Sequence, residues 1–299
     1  MSFVKKYSDK LFLKQWGLGF MRGNIADIIR NKKTGLSFDW LSLEDKGISQ
    51  ADPFIFKTDD GRINILFESV STLSLDGKIS LMVCNEDLVP IFQKVILETK
   101  DHLSYPFVYK ENGRIYVFPE NAFSGSLNCY EFDPAQRSFI HKKEIIKAPL
   151  LDSTILKYNN KYWLFATMLG DGYNSDLHIF YSDSLLGTYT PHAGNPVKQM
   201  LDGARPAGNF IEVDGEVYRP AQNCSNYYGE SMTINKITKL TTTEFSEEEY
   251  MVIEPNRNDE FNYGIHTINV VDDIIIVDGQ KSYFQPVQQL SRKLKNIFN

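Results

Sequence analysis

The sequence predicts an all-β protein, a five-bladed β-propeller, and two observations lead to this fold class. One hairpin pattern recurs: an apolar run, a turn rich in Asp, Asn and Gly, and a returning run of β-branched and aromatic residues. Such turn residues supply the left-handed backbone angles of a hairpin, and the flanking residues favour a pleated surface. The pattern also repeats at intervals typical of propeller blades, which span roughly 40 to 50 residues with about four strands each. The five repeats begin near Asp52, Tyr105, Asp152, Arg205 and Ile265.

Further strands follow the first four hairpins. These strand-like runs are Lys78–Asn85, Ser126–Asp133, Asp176–Asp183 and Ser231–Thr238. Before the first repeat, strand-like stretches surround Trp16 and Trp40. Because the two chain ends must meet in a closed ring, we expect an N-terminal strand to complete the last blade. We interpret both tryptophans as packing between blades, with a sugar-stacking surface as the alternative.

The single propeller is predicted to span residues 1–285, and residues 286–299 predict a short C-terminal amphipathic helix. The residues that give it helical spacing and basic character are Leu290, Arg292, Lys293, Leu294, Lys295, Ile297 and Phe298. We expect this helix to dock on the propeller; binding to an anionic membrane surface is the alternative. The acidic stretch 241–261, between the fourth and fifth repeats, is interpreted as an exposed connection.

Composition narrows the class of protein. The chain has 299 residues, 42% of them hydrophobic, which is enough for a large packed core. A net charge of −6 argues against a general nucleic-acid binder, because such proteins carry a basic face. No apolar run approaches the length of a membrane span, the N-terminus lacks the apolar centre of a signal peptide, and the three cysteines have no metal-binding spacing. We therefore expect a cytoplasmic protein, with peripheral contact at the inner face of the membrane as the alternative.

The first residues of the repeats are the candidates for chemistry. Proline cannot donate to a strand ladder, so Pro53 places Asp52 at the start of an innermost strand, and Asp152 occupies the same place in the third repeat. Two carboxylates that face one axis disfavour double ionisation, which separates their pKa values. Arg205 opens the fourth repeat, where its guanidinium suits a phosphate, a sugar carboxylate or, alternatively, a salt bridge to Asp152 or Asp52.

Eight further residues are candidates for substrate binding. Glu68 and Glu120 end matching return strands, either as solvated rim residues or as inward ligand-facing groups. His102 is interpreted as a proton-transfer group or as a loop histidine that forms hydrogen bonds. The other candidates are Tyr105, Arg219, Gln222, Tyr228 and His266.

Five motifs in order carry a resemblance to a known family: ADPFIF, HLSYPF, the stretch around Asp152, ARPAG and YRPAQN. Over roughly residues 12 to 285 the chain resembles the glycoside hydrolase family 43-like propeller found at the N-terminus of plant glucosamine inositolphosphorylceramide transferases. Similar domains occur in bacterial proteins associated with surface-polysaccharide and formyltransferase modules. The resemblance implies a five-bladed propeller that acts on carbohydrate, so the expected partners are a sugar or sugar-phosphate substrate and a glycan acceptor.

The family 43 pattern places an Asp base in blade one, an Asp that tunes the acid in blade three, and a Glu general acid at the start of blade four. By this resemblance Asp52 matches the base and Asp152 the tuning residue, but Arg205 stands in place of the acid. An inverting glycosidase needs both an acid and a base. The resemblance also implies a structural calcium near the axis, with His266 in the position of its histidine; the sequence itself predicts no metal site and no cofactor.

Three functions follow from this departure. The leading hypothesis is a glycosyltransferase, or related glycan-modifying enzyme, of bacterial surface-polysaccharide assembly. In it Asp52 activates an acceptor hydroxyl, Asp152 orients the substrate, and Arg205, Arg219 and His266 hold a leaving phosphate. The second is a glycosidase in which Glu68 or Glu120 has become the acid. The third is a propeller that binds glycans without catalysis.

Overall fold

The computed structural model describes residues 12–42, 47–72 and 75–284. They form five antiparallel sheets of four or five strands each, which confirms the predicted five-bladed propeller. The helix predicted over 286–299 lies outside the described residues. Among the described residues, no helix is long and apolar enough to cross a bilayer.

The elements follow one another blade by blade. The chain begins with β1 (Phe12–Arg22), helix α1 (Ile25–Arg30) and β2 (Asp39–Trp40). Blade one contains β3 (Ile48–Lys57), β4 (Ile63–Ser71), β5 (Gly77–Cys84) and β6 (Pro90–Leu97). Blade two contains β7 (Ser104–Glu111), β8 (Arg114–Glu120), a 3₁₀ turn (Ala122–Ser124), β9 (Leu127–Asp133) and β10 (Ser138–Ile146). Blade three contains β11 (Leu150–Tyr158), β12 (Lys161–Met168), β13 (Asp176–Ser182), β14 (Thr190–Pro191) and β15 (Lys198–Gln199).

The last two blades complete the ring. Blade four contains β16 (Asp202–Pro206), β17 (Ile211–Val213), β18 (Glu216–Asn223), β19 (Ser231–Leu240) and β20 (Phe245–Ile253). Blade five combines β21 (Ile268–Val271) and β22 (Ile274–Phe284) with β1 and β2. Strand β1 pairs with β22 along its whole length, from Phe12 opposite Phe284 to Arg22 opposite Ile274. The prediction that an N-terminal strand completes the last blade is therefore confirmed.

Trp40 packs inside blade five. Its ring lies 4.7 Å from that of Phe261, and a Cβ atom at Gly279 would lie 2.2 Å from it. Close packing of this kind requires the glycine, because any side chain there would displace the indole. Trp40 therefore packs against other residues as expected, but these contacts lie within blade five and not between blades.

The interpretation of the acidic stretch 241–261 as an exposed connection is wrong. Residues 245–253 form β20, which pairs with β19 as the outer strand of blade four. Its glutamates divide between the two faces of the strand: the side chain of Glu247 is 3% exposed, whereas Glu248 is exposed. A buried carboxylate within an acidic run is not distinguishable in sequence from its solvated neighbours, because the cation that pairs with it lies elsewhere in the chain.

A bulge lies near the start of three innermost strands. The pairing register jumps between Ala51 and Phe54 in β3, and at the matching places in β7 and β11. The residue within each bulge has a positive φ: 51° at Asp52, 40° at Tyr105 and 51° at Asp152. This backbone conformation costs free energy for a residue with a side chain, and it redirects the side chain out of the strand's regular alternation. Bulges thus set the direction of the candidate residues.

Candidate functional site

A cavity of about 320 Å³ is lined by residues of blades one, two, four and five. Seven of the eleven predicted site residues line it: Asp52, Glu68, His102, Glu120, Arg205, Tyr228 and His266. Asp152 and Gln222 do not line the cavity. Asp152 contacts the lining residue Arg205, and Gln222 contacts Asp152, so both lie directly behind it. The sequence prediction that distant repeat openings meet at one hollow is therefore supported by the geometry.

Asp52 is held by contacts from blades two and five. Its Oδ1 accepts a hydrogen bond from the Thr267 hydroxyl at 2.8 Å, and its Oδ2 accepts one from the backbone N–H of Tyr105 at 3.3 Å. Its own backbone N–H donates to Oδ2 of Asp278 at 3.0 Å. Burial raises the pKa of Asp52 to about 8, although the charge of His266 acts in the opposite direction. Asp52 is thus a fixed carboxyl group that titrates near neutral pH.

Asp278 organises the blade-five side of the cavity, and sequence reasoning missed it. Its Oδ1 accepts the backbone N–H groups of His266 and Thr267, both at 3.0 Å, and its Oδ2 lies 2.6 Å from Nδ1 of His266. Burial lowers the pKa of His266, but the Asp278 charge and hydrogen bond raise it to about 9. Nε2 of His266 lies 3.7 Å from Oδ1 of Asp52. The only available signal in the sequence was an aspartate inside the apolar run IIIVDG.

The same three residues form a cluster of possible metal ligands. Asp52, His266 and Asp278 each place one ligand atom within 4.8 Å of the others. However, the two carboxylates already accept five hydrogen bonds from protein donors. Ca²⁺ takes six to eight oxygen ligands, so one imidazole and two engaged carboxylates fit a hydrogen-bond network rather than calcium.

Asp152, Arg205 and Glu120 form a second buried cluster. Nε of Arg205 lies 2.5 Å from Oδ2 of Asp152, which is the salt bridge predicted as the alternative for Arg205. Oε2 of Glu120 accepts the backbone N–H of Asp152 at 2.9 Å and lies 3.9 Å from Nη2 of Arg205. Burial and the charge of Asp152 raise the pKa of Glu120 to about 8, while Arg205 opposes the shift. A protonated carboxyl group is therefore available at this side of the cavity.

Gln222 completes this cluster behind the cavity. Its Nε2 donates to Oδ2 of Asp152 at 2.7 Å and to the carbonyl of Pro206 at 3.0 Å. Because Oδ2 also receives Arg205, two donors fix the Asp152 carboxylate. Gln222 thus contacts Asp152 and Pro206 and does not line the cavity.

Glu68 and His102 form a pair at the cavity wall. Oε1 of Glu68 lies 2.7 Å from Nε2 of His102. Burial lowers the pKa of His102, but this hydrogen bond raises it to about 9. Glu68 and Glu120 both line the cavity, as the inward interpretation expected, and neither is a solvated rim residue.

Tyr105 does not reach the cavity, whereas Trp16 and Tyr228 form part of its wall. The fully buried Tyr105 hydroxyl accepts the N–H of Gly208 and bonds the Thr154 hydroxyl, both at 2.7 Å, so it ties blades two, three and four together. Trp16 stacks on His266 with ring centroids 4.0 Å apart. Tyr228 is 39% exposed, and the guanidinium of Arg205 lies 5.2 Å from its ring.

Arg219 lies apart from the cavity. Its Nε donates to Glu247 at 2.8 Å, and its other nitrogens bond Glu247 and the carbonyls of Gly203 and Ala204. Only 2% of its side chain is exposed. The structure therefore does not bring Arg219 together with Arg205 and His266 into a phosphate-binding cluster.

Stability is expected to fall as pH rises from about 5 to about 9. Folded Asp52 and Glu120 keep protons up to about pH 8, whereas their ordinary pKa values are 3.8 and 4.5. His102 and His266 keep theirs to about pH 9, against an ordinary value of 6.5. In this window the folded state binds more protons than the unfolded state, so the free energy of unfolding decreases with pH. Urea unfolding at pH 5, 7 and 9 measures this; a free energy that rises with pH would contradict the assignment.

The fold and the site together define a class, a five-bladed propeller with a carboxylate-lined cavity. Its fold is similar to a family 117 glycoside hydrolase from Zobellia galactanivorans, with a TM-score of 0.56 and 15% identity over 92% of both chains. It is also similar to a GH43 β-1,3-galactosidase, with a TM-score of 0.56 and 13% identity over 73% of this chain and 52% of that one. At these identities the likeness concerns the fold.

Within this class, the chain belongs to the family described as glucosamine inositolphosphorylceramide transferase 1, N-terminal, which matches residues 43–272. It is 36% identical over 207 residues to glucosamine inositolphosphorylceramide transferase 1 of Arabidopsis thaliana, covering 67% of this chain and 27% of the relative. The protein of the same name in Oryza sativa subsp. japonica is 34% identical over 203 residues, with 66% and 27% covered. The chain thus spans about a quarter of the length of these relatives.

Proposed function

We propose that this propeller is a glycan-modifying enzyme that acts at a glycosidic bond by acid–base catalysis, with Asp52 as the base and Glu120 as the acid. One observation carries the proposal: two buried carboxyl groups from different blades line the same cavity, and burial raises the pKa of both to about 8. With a pKa of about 8 for each group, part of the protein near pH 7 to 8 has one carboxyl protonated and the other ionised. That form is the one acid–base catalysis requires.

Glu120 supplies what the blade-four position lacks. Family 43 enzymes, by the resemblance, carry their acid at the position of Arg205, and Oε2 of Glu120 lies 3.9 Å from Nη2 of that arginine. Asp152 donates its backbone N–H to Glu120, and its charge raises the Glu120 pKa. The tuning role implied for Asp152 is therefore consistent with Glu120 as its target.

Asp52 suits the base because its ionised form has several partners. The charge of His266 lowers the pKa of Asp52 against the effect of burial, which favours the carboxylate. Thr267 and the Tyr105 N–H also stabilise its ionised form. An ionised Asp52 can accept a proton from water or from an acceptor hydroxyl, so hydrolysis and transfer differ only in the nucleophile.

Glu120→Gln tests the acid. A poor leaving group needs protonation, so turnover of an alkyl glycoside is expected to fall by about 10²- to 10⁴-fold. Turnover of the matching p-nitrophenyl glycoside, whose leaving group is stable as an anion, is expected to fall far less. Steady-state kinetics on a panel of such pairs gives the comparison, with the exposed Glu86→Gln as control. An equal loss on both substrates would argue against Glu120 as the acid.

Transfer from a phosphate-activated donor is the second candidate, in the setting of surface-polysaccharide assembly at the inner face of the membrane. It is favoured by Arg205, a cation at the cavity wall, and by the transferase names of the relatives. Incubation with sugar nucleotides and oligosaccharide acceptors, read by mass spectrometry, separates the candidates. Product from sugar nucleotides but not from aryl glycosides favours this one, and saccharide binding without any product favours a non-catalytic glycan-binding role.

A further inference from the structure

A second groove lies beside the cavity, between blades four and five. Its volume is about 540 Å³, and its lining includes Tyr227, Tyr263, Glu254, Arg257 and Asn262. We propose that this groove binds the next sugar unit of a glycan whose first unit occupies the cavity. The inference rests on the proposed function, since it takes the cavity to hold a sugar.

The groove and the cavity adjoin along one loop. Tyr228 lines the cavity, and the preceding Tyr227 lines the groove. Lys14 also lines the cavity, while its ammonium lies 5.3 and 4.6 Å from the ring centroids of Tyr227 and Tyr263. Lys14 therefore lies between the two spaces, where its ammonium can donate hydrogen bonds to a ligand that extends from one to the other.

The loop that carries Tyr227 and Tyr228 is held in place. Gly229 has a φ of 69°, and a Cβ atom there would lie 2.7 Å from Trp16, so a side chain is excluded on two grounds. The Gly229 carbonyl accepts the N–H of Ile265 at 2.9 Å, which joins the loop to blade five. Such a loop presents its aromatic rings without ordering on binding, which keeps the entropy cost of association low.

Two tyrosines form the apolar wall of the groove. The rings of Tyr227 and Tyr263 lie 4.7 Å apart at 31°, and the Tyr227 hydroxyl donates to the Tyr263 carbonyl at 2.7 Å. Both side chains are half-buried, so each keeps part of its ring surface accessible. A ring fixed in this way offers a flat apolar surface with a polar end, which matches the C–H face and the hydroxyls of a pyranose.

The polar rim favours a neutral polyhydroxyl ligand. Glu254 and Arg257 are exposed, and within the described part of the chain neither forms a salt bridge. Glu254 offers hydrogen-bond acceptors and Arg257 a planar set of donors. Sugar hydroxyl groups can therefore donate to the one and accept from the other. A strongly anionic ligand would meet Glu254, and a strongly cationic one would meet Arg257. Concave sites with an aromatic wall and a few polar groups are typical of small-ligand binding.

Calorimetry with matched sugars tests the groove. The probes are arabinose, xylose and N-acetylglucosamine, each paired with its trisaccharide. The wild-type protein is expected to bind at least one trisaccharide about tenfold more tightly than its monosaccharide, because stacking and hydrogen bonds in the groove add to the cavity's contribution. Arg257→Ala and Tyr227→Ala are each expected to remove most of that difference and leave monosaccharide affinity unchanged. Arg62→Ala, on an exposed hairpin turn of blade one, serves as the matched control.

The monosaccharide and trisaccharide measurements distinguish failure of the groove assignment from failure of the cavity assignment. If monosaccharides bind but chain length adds nothing, or if both groove variants keep the full trisaccharide affinity, the groove assignment is wrong while the cavity assignment stands. If no sugar of the panel binds, both assignments are overturned. Because Arg257 is exposed and outside any salt bridge among the described residues, its variant tests the groove even if Tyr227→Ala fails to fold.

Discussion

Asp52→Asn is expected to lower kcat/KM by about 10²- to 10⁴-fold, the range typical for loss of a general base. The substitution changes one atom of the side chain and leaves the backbone N–H that donates to Asp278. The amide oxygen of Asn can still accept a hydrogen bond from Thr267 or from the Tyr105 N–H. An amide cannot take up a proton as a carboxylate does, so the base is lost. Initial rates on the substrate that shows turnover with the wild-type protein measure the effect.

Folding has to be separated from chemistry in this variant. Asp59→Asn, at an exposed hairpin turn of blade one, is the matched control and should keep full activity. Asp52→Asn should keep the wild-type circular dichroism spectrum and a cooperative urea transition, because a neutral residue replaces a carboxyl that burial already disfavours as an anion. Wild-type turnover in a folded Asp52→Asn protein would remove Asp52 from the mechanism.

Arg219→Ala is expected to destabilise the protein by about 3 to 5 kcal/mol, the range for breaking a buried ion pair from one side. Glu247 is 3% exposed and would lose its main partner, with Lys198 left at 2.8 Å. Two backbone carbonyls would also lose their donor. The free energy of unfolding in urea is the measurement.

Arg114→Ala is the matched control for that experiment. Arg114 also pairs with a glutamate, at 3.6 Å, but 62% of its side chain is exposed. Exposed pairs contribute about 0 to 1 kcal/mol, so this variant should remain close to the wild type. Should Arg219→Ala abolish turnover while stability stays unchanged, Arg219 would belong to the reaction rather than to the interior of blade four.

The repeat pattern was sufficient to predict the architecture and the place of the site. Asp52, Asp152 and Arg205 could be found because each opens a repeat, and strand openings in a ring converge. The resemblance added their roles but left the acid unassigned. Glu68 and Glu120 end matching return strands, so the sequence suggests either of them as the replacement acid. The burial and the neighbours of Glu120 in the structure are what favour it.

What could not be predicted depended on partners distant in sequence. Asp278 acts through backbone groups at positions 52, 266 and 267, and no short-range pattern marks an acceptor of this kind. Arg219 points inward because it pairs with the buried Glu247. That glutamate lies in an acidic run, and such runs are typical of exposed segments. The positive φ of Asp52 and Asp152 also went unpredicted, because aspartate tolerates this conformation without the glycine that usually signals it.

The pairing of β1 with β22 has a consequence for biosynthesis. Phe12 lies opposite Phe284, so β1 gains its partner only after the four intervening blades have been synthesised. Until then β1 has an unpaired edge that can bind other chains, and such late, long-range pairing slows folding. Blades one to four can form during synthesis, whereas Trp16 and His266 reach the cavity wall only when the ring closes. The wall of the cavity is therefore completed only after blades one to four have been synthesised.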